Sequence, residues 1–136
     1  MNYWLVKTEP DAYSWQRFVR EGRAMWDGVR NFTARNNLKK MKAGDNVLFY
    51  HSNIGKEVVG VARVVKESYP DPTAKEPGWV VVDLEPLGEL ERPVSLEQIK
   101  SEPALKNILI LRQGRLSVVP LAAAEFKAIL KMGGNS

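Results

Sequence analysis

The sequence predicts an α+β fold in which a small barrel of about five strands is flanked by helices. Three observations lead to this prediction. Short apolar runs with alternating polarity recur along the chain, segments with helical spacing lie between and after them, and several successive strands are joined by turns short enough for antiparallel pairing. A chain of 136 residues fits a single domain that buries roughly two thirds of its unfolded surface. We therefore expect one domain over residues 1–136.

The first third of the chain predicts one strand followed by two helices. Residues 3–7 are aromatic and β-branched, which favours a strand, and Pro10 cannot continue it. Ser14 is a suitable N-cap for a helix that Gly22 ends. Residues 32–41 predict a second helix, which has a basic side.

The middle of the chain predicts strands joined by turns. Residues 46–52 alternate in polarity, and residues 53–56 form a hairpin turn to a β-branched strand over 58–66. Residues 69–72, Tyr-Pro-Asp-Pro, predict a rigid loop because two φ angles are fixed by proline. A further strand is predicted over 79–84.

The last third predicts a change to helices around one more strand. Ser95 and Gln98 have the spacing of a capping box for a helix that ends near residue 100. Residues 108–111 form an apolar run that is compatible with either element. Residues 116–119 predict a strand ended by Pro120, and residues 121–132 predict the final helix.

Composition excludes several classes of protein. Cysteine is absent, so the chain has no disulfides, no thiolate metal site and no cysteine nucleophile. The N-terminus lacks the pattern of a secretion signal, and no apolar run approaches the ~20 residues of a membrane span. We expect a cytoplasmic protein, a monomer, that neither enters a membrane nor requires a cofactor or metal.

The positive charge is concentrated in the first half of the chain. Residues 1–66 carry 12 basic and 6 acidic side chains, whereas residues 67–136 carry 8 and 10. This asymmetry favours a polyanionic partner, although a basic isoelectric point alone is common among proteins that bind no nucleic acid.

The segment 26–31, Trp-Asp-Gly-Val-Arg-Asn, has the groups needed to stack on a nucleobase and to read its edge. Trp26 offers a broad π face, and stacking of one base on such a face contributes roughly 1–3 kcal/mol. Arg30 and Asn31 add a fixed charge and a planar amide. The alternative is that Trp26 is a core aromatic residue at the end of a short strand.

Catalytic patterns are nearly absent. The only histidine is His51, and the sequence contains neither a nucleophile elbow nor a glycine-rich phosphate loop. A binding pocket requires less. Polar and aromatic clusters lie at predicted strand ends, which can meet at one mouth of a barrel. They comprise residues 3–10, 26–31, 50–52, 69–71 and 112–117.

Six segments together resemble the EVE domain family. They are residues 4–10, 26–31, 47–52, 69–73, 92–96 and 115–118. The resemblance implies a PUA-like fold, which is a bent antiparallel β-barrel of five to six strands with flanking helices, related to the YTH domains that read methylated adenine in RNA. It also implies a non-catalytic reader of modified bases in DNA or RNA that holds a flipped base in an aromatic pocket.

The resemblance assigns thirteen residues to this pocket. Trp26 would be the wall on which the base stacks, Asn31 and Ser52 would read its edge, and Lys7 and Arg30 would lie near a phosphate or an exocyclic oxygen. The full set is Lys7, Pro10, Trp26, Arg30, Asn31, Tyr50, His51, Ser52, Tyr69, Pro70, Asp71, Arg112 and Ser117.

The remaining roles complete the expected pocket. Tyr50 and His51 would line the floor, residues 69–71 would form a flexible lid or second wall, and Arg112 and Ser117 would close the far side. Tyr50 could instead be a core residue, and His51 could serve merely to bond a backbone carbonyl.

Two other functions remain open from the sequence. The first is a general RNA-binding module that uses the basic helix 32–41, in which Lys39 and Lys40 would matter more than Trp26. The second is an enzyme that acts on modified nucleotides with His51 as acid or base.

Overall fold

A computed structural model describes residues 1–135 of the protein, and this part of the chain contains six strands and five α-helices. A short 3₁₀ turn covers Pro103–Leu105. The strands are β1 (Tyr3–Thr8), β2 (Ala24–Met25), β3 (Asn46–His51), β4 (Glu57–Pro70), β5 (Val80–Ser95) and β6 (Val118–Leu121). The helices are α1 (Trp15–Glu21), α2 (Phe32–Lys40), α3 (Leu96–Ser101), α4 (Leu109–Arg112) and α5 (Ala123–Met132).

The strands form one mixed sheet in the order β2-β5-β4-β3-β1-β6. β1 runs parallel to β3, and the other four pairs are antiparallel. In residues 1–135 no pairing joins β2 to β6, so the sheet is not closed. The α+β class and the number of strands are confirmed, and the difference from the expected antiparallel barrel is that one of the five pairs is parallel and the sheet does not close. The physical reason is the connection from β1 to β3, which contains two helices, as a parallel crossover requires.

β4 and β5 are much longer than the sequence predicts. They pair along most of their length with four shifts of register, and such irregularities bend and twist a sheet. Tyr69 and Pro70, which were predicted to lie in a loop, belong to β4. Beyond Leu84, β5 has only β4 as a neighbour. Because the other side of β5 pairs with no strand there, proline is tolerated at positions 86 and 93. No strand is predicted at these positions from the sequence.

The helix ends follow the predicted capping chemistry. Ser14 Oγ accepts a hydrogen bond from Arg17 N at 3.1 Å, and Gly22 ends α1 with φ +75°. Ser95 and Gln98 form the predicted capping box of α3. The ambiguous run 108–111 is mostly helical, because it contributes to α4.

The end of β6 differs from the prediction. Pro120 was expected to terminate the strand, but β6 continues to Leu121, and the last helix begins at Ala123. β6 is the outermost strand of the sheet, so Pro120 has a free side on which a missing N–H costs nothing. No helix in residues 1–135 is long and apolar enough to cross a membrane.

An aromatic cluster joins α1 to one face of the sheet. Its centre is Phe49 of β3, which stacks on Phe18 at 5.3 Å between ring centroids and meets Trp15 edge-on at 5.2 Å. The Trp26 ring is 5.6 Å from that of Phe49. All four side chains are buried. This cluster fixes the position of α1 and of the Trp26 segment on the sheet.

Gly60 allows α1 to approach the sheet closely. It is the register partner of Phe49 on β4, and a Cβ atom at this position would lie 2.5 Å from the Trp15 indole. Since the indole is packed within the aromatic cluster, it cannot move aside cheaply. The absence of a side chain at Gly60 is therefore a packing requirement.

Gly60→Ala is expected to lower the free energy of unfolding by about 1–3 kcal/mol, because overpacking displaces Trp15. Gly88→Ala is the matched control, since Gly88 lies on the neighbouring β5 and an added Cβ would meet nothing within 4 Å. Urea unfolding monitored by tryptophan fluorescence measures both variants. Equal stability of the two would contradict the close contact at Gly60.

Candidate nucleic-acid interface

A cavity of about 470 Å³ lies beside Trp26, between α1 and the segment around β2. Its walls combine aromatic, small apolar and charged side chains. The residues that line it are Thr8, Ala12, Tyr13, Arg17, Glu21, Arg23, Ala24, Met25, Trp26 and Asp27. We call it the Trp26 cavity.

Trp26 is a buried wall of this cavity. Its backbone N–H donates to Val82 O at 2.8 Å, and its ring is nearly perpendicular to the rings of Tyr13 and Phe49. Only 8 % of the residue is exposed. Most of the Trp26 surface is packed into the aromatic cluster, as in the alternative of a core aromatic residue at the end of a short strand, and only a small part of the residue remains to line the cavity. Tyr13 also lines the cavity and is partly exposed.

Tyr13, Arg17 and Glu21 form a polar group at the cavity rim. Tyr13 Oη donates to Glu21 Oε1 at 2.7 Å, and Arg17 Nε donates to Glu21 Oε2 at 3.0 Å. Arg17 also lies 5.0 Å from the Tyr13 ring centroid, a cation–π distance. Burial and the Glu21 carboxylate both raise the pKa of Tyr13, and the two hydrogen bonds lower the pKa of Glu21. The tyrosine is thus held as a neutral ring.

Arg23, which also lines the cavity, is held by Asp83. Its Nε and Nη2 atoms donate to Asp83 Oδ2 at 3.2 and 2.8 Å, and Tyr69 Oη donates to Asp83 Oδ1. Burial and the Asp83 carboxylate raise the pKa of Tyr69 to about 12. Tyr69 thus packs at the end of β4 as a neutral donor, which does not match the predicted flexible lid.

The carboxylate of Asp71 ties the Trp26 segment to the end of β4. Its Oδ2 atom accepts hydrogen bonds from Gly28 N at 3.1 Å and Arg30 Nη1 at 2.9 Å, while Oδ1 accepts from the backbone and hydroxyl of Thr73 at 2.7 and 2.6 Å. Burial alone would raise the pKa of Asp71, but these hydrogen bonds outweigh it and lower the pKa to about 2. Arg30 and Asp71 are therefore partners of each other.

Asn31 caps α2. Its Oδ1 atom accepts a hydrogen bond from Ala34 N at 2.9 Å, which occupies the acceptor that was expected to read a base edge. Asn31 lines a second cavity, of about 380 Å³, together with Arg112. Thr33, Gln113, Gly114, Arg115 and Leu116 complete its walls.

A third cavity, of about 220 Å³, brings together Lys7, Tyr50 and Ser52. Lys7 Nζ donates to Gly114 O at 2.8 Å and lies 5.9 Å from the Tyr50 ring centroid. Burial lowers the pKa of Lys7. Because Gly114 also lines the second cavity, the two cavities adjoin.

The predicted residues do not meet at one mouth. Tyr50 is the register partner of Lys7, whereas the next residue, His51, projects to the other face, on which Phe49 and Trp26 pack. Side chains alternate across a strand, so neighbouring residues of β3 cannot line the same pocket. Lys7, Tyr50 and Ser52 therefore lie apart from the Trp26 cavity.

Four further predicted residues do not line any of the three cavities. His51 is buried, and its Nε2 atom accepts the Trp15 backbone N–H at 3.1 Å, so it bonds a backbone amide instead of a carbonyl. Ser117 accepts a hydrogen bond from Lys7 N through its backbone oxygen. Pro10 is half-buried in the turn after β1, and Pro70 is the exposed last residue of β4.

Comparison with known proteins places the whole chain in one family. The model of the EVE domain matches residues 2–132. The chain belongs to the EVE domain family. Thymocyte nuclear protein 1 of Mus musculus is 35 % identical over 96 % of this chain and 73 % of its own length.

Solved structures of EVE domain relatives have the same fold. A protein from Agrobacterium tumefaciens is 42 % identical, with a TM-score of 0.96 over 98 % of this chain and 94 % of its own. Human THYN1 protein, solved in complex with 5-methylcytosine-containing DNA, is 31 % identical, with a TM-score of 0.92 over 100 % and 99 % of the two chains. The predicted family and the PUA-like fold are confirmed.

Sequence reasoning missed much of the polar rim of the cavity in this EVE domain. Tyr13, Arg17 and Arg23 were not singled out, although a signal was present. Tyr13, Arg17 and Glu21 follow one another at intervals of four residues, from just before the N-cap of α1 to its last residue, so all three lie along one side of the helix.

Stability of this EVE domain is expected to fall as the pH drops from about 7.5 to about 5.5. Burial lowers the pKa of His51 below 6.5, so the unfolded chain binds a proton more readily than the folded one. The loss amounts to about 1.4 kcal/mol for each unit between the two pKa values. Urea unfolding at several pH values measures it.

His51→Gln is the matched variant for this titration, because a glutamine oxygen can accept the Trp15 N–H without titrating. The pH dependence between 7.5 and 5.5 should be smaller in this variant. The same slope in both proteins would rule out His51 as its source.

Proposed function

We propose that this EVE domain is a non-catalytic reader of modified bases in DNA or RNA and that it holds one flipped base in the Trp26 cavity. The observation that carries the proposal is the similarity over the full chain to human THYN1 protein, whose structure contains 5-methylcytosine DNA. A modified base must leave the helix stack before a protein can enclose it. The chain therefore needs a cavity that accepts a single base.

The Trp26 cavity has suitable dimensions and walls. Its volume of about 470 Å³ falls within the range of small-molecule sites, which are mostly apolar with a few placed polar groups. The partly exposed Tyr13 ring offers the stacking surface, and Trp26 supports it from the side at 6.0 Å between ring centroids. Tyr13 thus takes the role that the sequence hypothesis gave to Trp26.

The other cavity residues suit the remaining parts of a nucleotide. Ala12, Ala24 and Met25 provide apolar surface for a small added group such as a methyl. Asp27 can accept a hydrogen bond from an exocyclic amine, and Arg17 and Arg23 can attract phosphates.

The other predicted residues suit contacts with the sugar–phosphate backbone of the nucleic acid, or they hold the Trp26 segment in position. Lys7, Ser52 and Arg112 line the adjoining second and third cavities, where they suit phosphate contacts better than base contacts. Arg30 and Asp71 position the Trp26 segment. Catalysis by His51 has little support, because its Nε2 atom is already bonded to the backbone.

Tyr13→Ala is expected to weaken binding of a 5-methylcytosine-containing oligonucleotide by roughly 1–3 kcal/mol, because the stacking surface is lost. Tyr13→Phe keeps the ring and should bind nearly as the wild type does. Fluorescence anisotropy with modified and unmodified strands, as DNA and as RNA, measures the affinities. Trp26→Phe tests the second wall of the cavity. Trp26→Ala is unsuitable, because the lost core packing would lower the free energy of unfolding by about 3–5 kcal/mol.

Two outcomes of this experiment would contradict the proposal. The first is equal affinity of the wild type for modified and unmodified strands. The second is full binding by folded Tyr13→Ala combined with loss of binding in Lys39→Ala/Lys40→Ala, which would favour a general RNA-binding module that uses α2.

A further inference from the structure

A second aromatic surface lies outside the Trp26 cavity, at the start of α2. Phe32 is the first residue of α2, yet 65 % of it is exposed to solvent. Its ring stacks on that of Trp79, which directly precedes β5, at 5.2 Å between centroids and 19° between planes. We call this pair the Phe32–Trp79 platform.

Two arginines flank the platform. The guanidinium carbon of Arg35 lies 5.0 Å from the Phe32 centroid and 5.6 Å from that of Trp79, and the guanidinium carbon of Arg30 lies 5.7 Å from the Trp79 centroid. Aromatic faces are therefore combined with positive charge.

The charge of Arg35 is not neutralised within the described chain. Its guanidinium donates two hydrogen bonds to the neutral Asn36 Oδ1 atom, at 3.2 and 3.1 Å. In residues 1–135 no carboxylate lies within ion-pair distance of Arg35. This charge is available to an anionic partner.

The platform is held in place before any ligand binds. Asn31 caps α2 and so fixes the residue before Phe32, and Asp71 N donates to Trp79 O at 2.9 Å. The Asp71 carboxylate holds Arg30 at 2.9 Å. A surface ordered in advance loses little conformational entropy on binding.

We propose that the Phe32–Trp79 platform binds an unpaired base that flanks the modified one, with Arg35 directed to its phosphate. This inference rests on the proposed function of the Trp26 cavity. Exposed aromatic rings that alternate with arginine are typical of surfaces that bind single-stranded nucleic acid without sequence preference. A cationic ligand would be repelled by the charge of Arg35, which is unpaired within residues 1–135.

The spacing along the chain fits one strand that reaches both places. Trp26 and Phe32 are six residues apart, so their Cα atoms lie at most about 20 Å from each other. A few nucleotides of an extended strand cover such a distance. The flanking base would add affinity but no selectivity for the modification.

Phe32→Ala is expected to weaken binding of single-stranded DNA that carries one 5-methylcytosine by about ten-fold. The ratio of affinities for modified and unmodified strands should not change. Phe32→Trp should restore binding because it keeps a π face. Leu87→Ala, which alters an exposed apolar residue on β5, is the matched control and should bind as the wild type does. Fluorescence anisotropy measures all four proteins.

A second probe identifies the group that the platform contacts. It is the same strand with abasic residues at the three positions on either side of the 5-methylcytosine, so that phosphates remain but all bases within reach of the platform are absent. Wild type and Phe32→Ala should bind this probe equally. An equal loss on both probes, or no loss on the complete strand, would overturn the proposed platform.

The outcomes separate this inference from the proposed function. If the wild type prefers the modified strand and Phe32→Ala is unaffected, the platform is overturned, an acidic protein becomes its better partner, and the reading of modified bases stands. If the wild type has no preference but Phe32→Ala still loses affinity for the complete strand alone, the modified-base proposal fails and the platform stands. If the wild type binds neither strand, both are overturned.

Discussion

The buried carboxylate of Asp71 is the contact on which the geometry of the whole interface depends. It joins Gly28 and Arg30, on the segment that follows Trp26, to Thr73 at the end of β4. The Asp71 backbone also bonds to that of Trp79. One residue thereby positions a wall of the Trp26 cavity and one ring of the Phe32–Trp79 platform. Four accepted hydrogen bonds offset the cost of burying its charge.

The sheet separates the surfaces that the sequence suggested would be one. β1 and β3 end together because they are parallel, which brings many polar residues to the same edge. Alternation then sends Lys7 and Tyr50 to one face and His51 to the other. The face of α1 holds the Trp26 cavity with Arg17 and Arg23 on its rim, whereas the opposite face holds the third cavity with Lys7 and Lys56. Positive side chains therefore lie on both faces of the sheet.

Local chemistry made the elements predictable, and long-range pairing did not. Ser14, Gly22 and Ser95 act within a few residues of chain, so their capping roles were visible in the sequence. The resemblance of six segments to the EVE domain family implied the PUA-like fold, which the solved relatives confirm. The parallel pairing of β1 with β3 could not be predicted, because it joins residues that are far apart in the chain. The length of β5 could not be predicted either, because it depends on proline being tolerated where one side of the strand pairs with no other strand. For the site, a core position of Trp26 at the end of a short strand was the alternative that the sequence left open. The contacts with Phe49 and Tyr13, which come from other elements, decide in its favour.

An open sheet presents unpaired backbone groups at its margins, and such margins can act as templates for aggregation. Here the outermost strands are short, since β2 has 2 residues and β6 has 4, including Pro120. Beyond Leu84, β5 contains Pro86 and Pro93, with Glu85, Glu89 and Glu91 along the same stretch, and its Glu91 N and Arg92 N atoms donate to Asn135 Oδ1 and Gly133 O. Proline removes donors and the glutamates repel a second copy of the strand. The margins of the sheet are thereby poor templates for strand addition, although no barrel closure conceals them.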